Sequence, residues 1–533
     1  MISTRRKIVT AAAIIMLGNV LSRLLGLVRE QVIAGVFGPS GTTSAFVAAA
    51  TVPTMVYDLL IGGAISAALV PVFSDYAKSD RADELGKVAG TVLGWSLIVL
   101  VAAVGILELL APQLVWLLAF GLGEDSQQLA LTLVRIVLPS VLFLGLSGIT
   151  TALLYSRQVF TYPAFCVAAY NAGIIVVALL LAPSIGPSSL VVGALIGAFV
   201  QLALQSPGFR GLRLSFSLDP RHPALLRIVK LYLPVALGLV IAQIGVIIDR
   251  NLASRTGEDS LAVMRFATTL VQFPLGLAVT AVSFAILPTL SRYGSSDSGP
   301  STVRDEHLSS YKETLILGAR LALLLIIPAT FGLIALREPV IRLIFQHGVF
   351  DEYGTARTSL AFLYYAPQLP FVAVDQLLIF AFYARKNTLT PMLVGVLGVF
   401  IYVVAGLTLM GPMGMAGLVL ANTIQNSLHG VILFFLLQKV VGSLLDRQLV
   451  TTVAKALAAA AVMSIVLLLA ERYALVIADQ RTLAGQAAYV GSAGLLGAAT
   501  YFVVMGALGV EEVKMWWGVV RRRASSFGAR DLR

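Results

Sequence analysis

Leu107–Gly121 reads LELLAPQLVWLLAFG, and Ile334–Gly348 reads IALREPVIRLIFQHG. Laid over each other at an offset of 227, Pro112 falls on Pro339 and Gly121 on Gly348. Prolines and glycines are common in apolar helices, so one match of this kind carries little. The register continues outward, however. Pro139, Tyr155, Arg157 and Pro163 fall on Pro367, Tyr383, Arg385 and Pro391 at an offset of 228. Upstream, Ile65–Tyr76 (ISAALVPVFSDY) matches Val282–Tyr293 (VSFAILPTLSRY) at an offset of 217. The offset grows in the loop after Tyr293, which is longer than the loop after Tyr76. Matches held in register over this length read as an internal duplication.

The solvent follows from composition. Hydrophobic residues make up 58% of the 533 and charged residues 12%, with a mean hydropathy of +0.90. A soluble domain carries about 25% charged residues. So few charges cannot cover a water-facing surface, and the chain reads as an integral membrane protein. A soluble enzyme, a disordered chain and a secreted disulfide scaffold are excluded. The single cysteine, Cys166, leaves no disulfide and no cysteine zinc site.

Apolar runs of about 20 residues mark membrane-spanning helices. Fourteen are counted, with centres running from Gly18 through Gly62, Leu144 and Ala278 to Gly494. They break at polar or turn-forming stretches such as Phe37–Gly41, Ser79–Glu84, Gly294–Pro300 and Gly411–Gly414. The first two spans are candidates for broken helices. The duplication covers six helices per copy. Six is even, so both copies start on the same side and the repeat is parallel. The expected fold is an all-α polytopic membrane protein of about 14 spans: two parallel six-helix repeats plus two C-terminal helices. Residues 1–215 would form an N-terminal lobe and 216–440 a C-terminal lobe, with 441–510 two appended spans and 511–533 a basic cytoplasmic tail. Two related lobes around a cleft suit an alternating-access transporter; the competing reading is a duplicated membrane scaffold.

The net charge of +11 invites a nucleic-acid reading, but its placement argues for topogenesis. Of 38 Lys and Arg, 26 fall on the side carrying the termini, six opposite and six within spans. That bias places both termini in the cytoplasm, and Arg521-Arg522-Arg523 read as a headgroup anchor. Arg5-Arg6-Lys7 before an apolar run resembles a signal peptide, but Arg23 and Arg29 and the lack of a small-x-small site argue against cleavage.

A charge at mid-bilayer costs roughly 2.5–3.5 kcal/mol, so it faces a cavity or a partner. The first span carries Arg23, Arg29 and Glu30, and the second Asp58. The seventh carries Asp249 and Arg250, the eighth Arg265 and the tenth Asp375. Arg23 and Arg29 lie roughly 120° apart on a straight helix; a break near Gly26 would bring them together. Arginine's planar fork suits a phosphate or pyrophosphate. The alternative is internal pairing, Asp249 with Arg265 and Asp58 with a cationic neighbour. Arg320 and Arg135 read as snorkelling residues. No phosphate-binding GxxxxGK[ST] loop and no HExxH occur, and the histidines at 222, 307, 347 and 429 are scattered. Ser309-x-x-Lys312 lies in a polar loop and reads as chance. The chain therefore reads as no enzyme, needing no cofactor.

Several motifs resemble the MurJ/MviN family of lipid II flippases. They are Ser22–Glu30 (SRLLGLVRE), Phe37-Gly38, Gly63-Ala64 with Val70-Pro71, Phe273–Gly276 through Leu287–Arg292, Leu343–Phe350 (LIFQHGVF) and Phe382–Pro391 (FYARKNTLTP). The sequence departs from the family pattern at Ser44, where an acidic residue is usual, at Tyr57 and Asp58, which replace paired arginines, and at Thr269, which replaces an arginine. Arg265 stands one turn from Thr269 and can supply that cation. The resemblance implies a flippase moving an undecaprenyl-pyrophosphate-linked peptidoglycan precursor, lipid II, to the outer leaflet of the bacterial cell membrane. Arg23, Arg29, Glu30, Asp58, Arg250 and Arg265 would contact substrate, and the two appended spans would hold the lipid tail. Some members bind sodium between the seventh, eleventh and twelfth spans. Asp249 and Thr423 match that site, whereas Tyr402 and Gly406 stand where polar ligands are expected. Coupling is expected to the membrane potential or to a monovalent cation. Expected partners are the lipid-linked precursor, membrane lipids and cell-wall synthesis proteins, with no nucleic acid. Two alternatives stand: an exporter of another lipid-linked glycan or of a cationic drug, and a non-transporting scaffold for cell-wall enzymes.

Overall fold

The computed structural model describes residues 2–63, 65–77, 82–215, 217–294, 301–474 and 482–510. The basic tail expected at 511–533 lies outside the described residues, as do most of the breaks at 79–84 and 294–300. Among the described residues the chain is helical and contains no strand.

Packing divides the chain into two compact units: Met1–Phe266 with Phe345–Gly354, and Ala267–Ile344 with Thr355–Arg533. The first unit opens with α1 (Ile2–Phe37) and α2 (Gly41–Tyr57). The turn between them is built by its sequence. Gly38 takes φ +62°, Ser40 caps α2 by accepting from the Thr43 amide, and the Thr43 hydroxyl donates to the Gly38 carbonyl at 2.7 Å. After Tyr57 the chain passes through two π-helical stretches, Asp58–Gly62 and Ile65–Leu69, into α3 (Val70–Tyr76). The second span is thus broken, while α1 runs unbroken through Gly26, so the break considered there does not occur. Then come α4 (Ala82–Leu109), α5 (Ala111–Ala119), α6 (Glu124–Val137), α7 (Ser140–Ser156), α8 (Thr161–Ile185), α9 (Ser188–Ala203) and α10 (Pro223–Ser254). Phe73, Val88, Val92 and Leu153 centre a core that α10 joins through Ala224 and Ile228. The first helix of the second sequence copy therefore packs in the first unit.

Helix α11 (Ser260–Gly294) begins in the first unit and runs into the second. It is followed by α12 (Ser301–Ala335), α13 (Arg337–Phe345), α14 (Glu352–Tyr365), α15 (Leu369–Ala384), α16 (Leu389–Met413) and α17 (Met415–Val441). The appended pair is α18 (Arg447–Ala474) and α19 (Leu483–Ala507). Ala456, Ala459 and Ala460 let α18 lie close on α12, and the Tyr501 hydroxyl of α19 donates to the Leu324 carbonyl at 3.1 Å.

The duplication is visible element by element. Helices α6 and α14 are both 14 residues long and start 228 apart, and α8 and α16 are both 25 residues long at the same offset. The turns agree as closely. Gln158 and Lys386 both take φ 60°, and the Val159 and Asn387 amides reach back to Leu154 and Phe382 at 2.9 and 3.0 Å. This is the same helix-ending Schellman motif twice, each with a non-glycine residue in the left-handed region. Gly186 and Gly414 end α8 and α16 at φ 56°, ψ −136° and φ 59°, ψ −134°, a conformation that requires glycine.

Among the described residues eleven helices are long and apolar enough to cross a membrane, and α6 with α7, bent by 44°, is a further candidate. The bend falls at Pro139. The two other expected spans fall on the broken stretch around Gly62 and on α11. Side chains such as Leu180, Phe400 and Leu495 point outward from their helices. The surface they make suits hydrocarbon and not water.

Candidate functional site

Small residues position the charges of α1. A Cβ at Gly18 would meet the Ala164 carbonyl at 2.2 Å, so only glycine lets α1 lie this close to α8. Further along the same face, the Asn171 amide donates to the Ser22 carbonyl at 3.1 Å. Gly26 leaves room beside Asn171, and the Arg29 guanidinium donates to the Asn171 side-chain carbonyl at 2.9 Å. The spacing of 18, 22, 26 and 29 is one helical stripe.

Glu30, 1% exposed, is shared by two arginines. Arg29 donates to its Oε1 at 2.6 and 3.0 Å. Arg265, from the first turns of α11, donates to Oε2 and Oε1 at 2.8 Å each, the planar fork–fork geometry. The Arg265 guanidinium also lies 5.4 Å from the centre of the Phe46 ring. Ser44, standing where the family pattern has an acid, accepts from the Ala262 amide at 3.3 Å and holds the start of α11 against α2. Two guanidiniums around one carboxylate leave a formal charge of +1. Both arginines keep about a fifth of their side-chain surface open, 21% and 20%. The cluster can meet an anion without first giving up its internal bonds.

A loop closes over the end of α1. The Val349 amide donates to the Gly35 carbonyl at 2.9 Å, and Gly348, φ +61°, presses so close to Gly35 that a Cβ would sit 2.2 Å from that carbonyl. Phe266, Phe345 and Phe350 pack together beneath it.

The sequence named Arg29, Glu30 and Arg265, and the structure gathers them. Among the described residues no hydrogen bond or ion pair joins Arg23, Asp58 or Arg250 to this cluster. Arg23 is exposed on α1. Asp58 sits half-buried where α2 turns π-helical. Arg250 is paired with its neighbour Asp249 at 3.5 Å, and its Nε is buried without a partner. Arg265 pairs with Glu30, where the pairing alternative set it against Asp249. Thr423, in the second unit, donates its hydroxyl to the Tyr364 carbonyl at 2.6 Å. Asn171 and Phe46 carry no charge, so their only mark in the sequence is a lone asparagine inside α8. The first unit also holds a cavity of about 230 Å³ between Val52, Leu59, Leu114, Ile244 and Ile247, with Gln243 its one polar side chain.

Comparison with solved structures shows which proteins share the fold. The chain matches a lipid II flippase MurJ in an inward closed conformation at TM-score 0.78 and 22% identity, over 94% of this chain and 99% of that one. It also matches an inward-facing multidrug resistance transporter of the MATE family and MOP superfamily at TM-score 0.67 and 14% identity, over 79% and 95%. At these identities the shared property is the fold. Sequence narrows this. Residues 33–478 match the family model described as lipid II flippase MurJ, and the chain belongs to that family. It is 29% identical over 434 residues to the lipid II flippase MurJ of Burkholderia cenocepacia, covering 79% of this chain and 82% of that one. It is 30% identical over 438 residues to the probable lipid II flippase MurJ of Haemophilus influenzae, covering 78% and 83%.

Proposed function

We propose that the chain carries lipid II, an undecaprenyl-pyrophosphate-linked peptidoglycan precursor, from the inner to the outer leaflet of the bacterial cell membrane, as a transporter and not an enzyme. The observation that carries this reading is the Arg29–Glu30–Arg265 cluster, a net cation held among membrane-spanning helices. Guanidinium forks pair with pyrophosphate oxygens two at a time. In this reading Arg23 assists from the exposed face of α1, Arg250 lends a second cation and α18 with α19 receive the isoprenoid tail. Asp249 and Thr423 are the residues proposed for cation coupling. The Lys and Arg distribution supports cytoplasmic termini. A headgroup of two negative charges moving outward gains roughly 4–5 kcal/mol per 100 mV of inside-negative potential, which supplies drive without ATP.

The test is complementation of flippase-depleted bacteria. Arg29→Ala and Arg265→Ala are expected to abolish growth, and Arg23→Ala to weaken it, with protein levels unchanged. Full growth of Arg29→Ala would refute the reading and favour a scaffold. A second reading rests on Asp58, which has no cationic partner among the described residues and suits a cationic substrate. Competition binding between lipid II and an organic cation such as tetraphenylphosphonium separates the two.

A further inference from the structure

The duplication provides an internal control for one buried pair in the second unit. The offset of 228 that aligns α8 with α16 and Gly186 with Gly414 also aligns Ser147 with Asp375 and Gln201 with His429. In the first unit the Gln201 amide donates to the Ser147 hydroxyl at 2.9 Å, and Gln205 donates to the same oxygen at 2.6 Å. In the second unit His429 Nδ1 lies 2.8 Å from Asp375 Oδ1. The same helix-to-helix bond is kept, but a pair that cannot titrate is replaced by one that can. An ordinary imidazole exchanges its proton near neutral pH.

The pair is enclosed. Asp375 and His429 keep 12% and 15% of their side-chain surface. Gly430 brings α17 close, since a Cβ there would lie 3.1 Å from the Phe371 carbonyl and 3.4 Å from Asp375 Cβ. Gly395 and Gly398 of α16 stand beside the imidazole. The titratable side chain of α16 is Tyr402, and α14 contributes Tyr364 and Tyr365. Helix α12, packed on α15, carries Glu306, His307, Tyr311, Lys312, Glu313 and Arg320 among its described side chains. Of these, Tyr311 donates to the Ala381 carbonyl at 2.8 Å. Helices α15 and α17 add Tyr383 and Lys439 near their ends. Among the described residues His429 is the hydrogen-bond and ion-pair partner of Asp375, and no second charge neutralises the pair.

A polar file runs from the pair toward the Gly414 end of α17. Asn426 donates to Gln368 at 2.5 Å and to Asn422 at 3.0 Å. At the matched positions the first unit has Ala198, Ser140 and Ala194. The titratable pair and the polar file thus occur together, in the same copy.

We infer that Asp375 and His429 form a proton-binding site coupled to transport and reached from the Gly414 end of α17. The inference rests on the transport reading above. The step is a proton transfer from hydronium to the imidazole, leaving water. It takes the pair from net charge −1 to zero, and release reverses it.

The test uses the full chain in liposomes and the double variant Asp375→Ser/His429→Gln, which installs the first unit's own pair. With the potential clamped, an imposed pH gradient is expected to change wild-type flipping of fluorescently labelled lipid II by about fivefold or more. The double variant is expected to melt at the wild-type temperature, to flip, and to ignore the gradient. A wild type indifferent to the gradient, or a double variant that keeps the response, overturns the inference. Failure of the transport reading looks different: the wild type then moves no lipid II in any condition. The site is still measured in that case by nitrogen-15 spectra of histidine-labelled chain. The resonance lost in His429→Gln is expected to move between its neutral and protonated positions as the pH is changed, and a ring fixed in one state overturns the site.

Discussion

The two copies of the repeat agree in their turns and differ in their charges. Gly186 and Gly414 adopt the same backbone conformation, and Gln158 and Lys386 the same left-handed turn. Yet Ser147–Gln201 in one copy becomes Asp375–His429 in the other. The first helices of the copies differ as well. In α1, Glu30 joins neighbouring Arg29 to distant Arg265, whereas in α10 the neighbours Asp249 and Arg250 meet at 3.5 Å. Backbone geometry is held by sterics that admit few residues, while a bonded side-chain pair can change chemical type and keep its distance. A duplicated scaffold can therefore specialise its two halves without rebuilding either.

The largest expected effect is at the buried charge of the first copy. Glu30→Ala strands two guanidiniums against each other, and removal of one member of a buried ionic set costs about 3–5 kcal/mol. The detergent-solubilised variant should melt well below wild type and fail to support growth. Glu30→Ala/Arg265→Met, which removes the excess cation, should recover much of the melting temperature while growth stays lost. Recovery of growth as well would mean that the cluster serves folding alone, and the contrast between the copies would lose its functional side.

The turns should respond equally in both copies. A Cβ on Gly186 or Gly414 meets nothing within 4 Å, so alanine there adds backbone strain alone, about 1–3 kcal/mol. Gly186→Ala and Gly414→Ala should lower the melting temperature by matching amounts. A clear inequality would show that one copy relies on its turn more than the other.

These turns were legible because proline, glycine and tyrosine spacings survive in the sequence, and the offsets read there recur in the helix bounds. The candidate charges were legible because ionisable residues are rare in apolar runs. Their partners were not. Whether Arg29 or Arg23 turns inward depends on which face of α1 packs, and that is set by Gly18 meeting Ala164 on a distant helix. In the sequence Asp375 reads as an intramembrane charge and His429 as one of four scattered histidines, because 54 residues separate them and only the packing of α15 on α17 joins them. The π-helical stretches after Tyr57 left no signal beyond Gly62-Gly63.

The smallest effect is expected where the copies differ in sign on an open surface. Asp75 of α3 accepts from Arg227 of α10 at 2.7 Å, and the matched position of Asp75 in the second copy is Arg292. Asp75 and Arg227 are about half exposed, 52% and 53%. Water and salt screen such a pair, and its ordering entropy offsets most of the attraction, leaving about 0–1 kcal/mol. Arg227→Ala should therefore leave the melting temperature within a degree or two and flipping near wild type, with any difference shrinking as salt is raised. A loss as large as that of Glu30→Ala would mean that this surface pair carries structural weight, and that burial is not what separates the charges each copy depends on from those it tolerates.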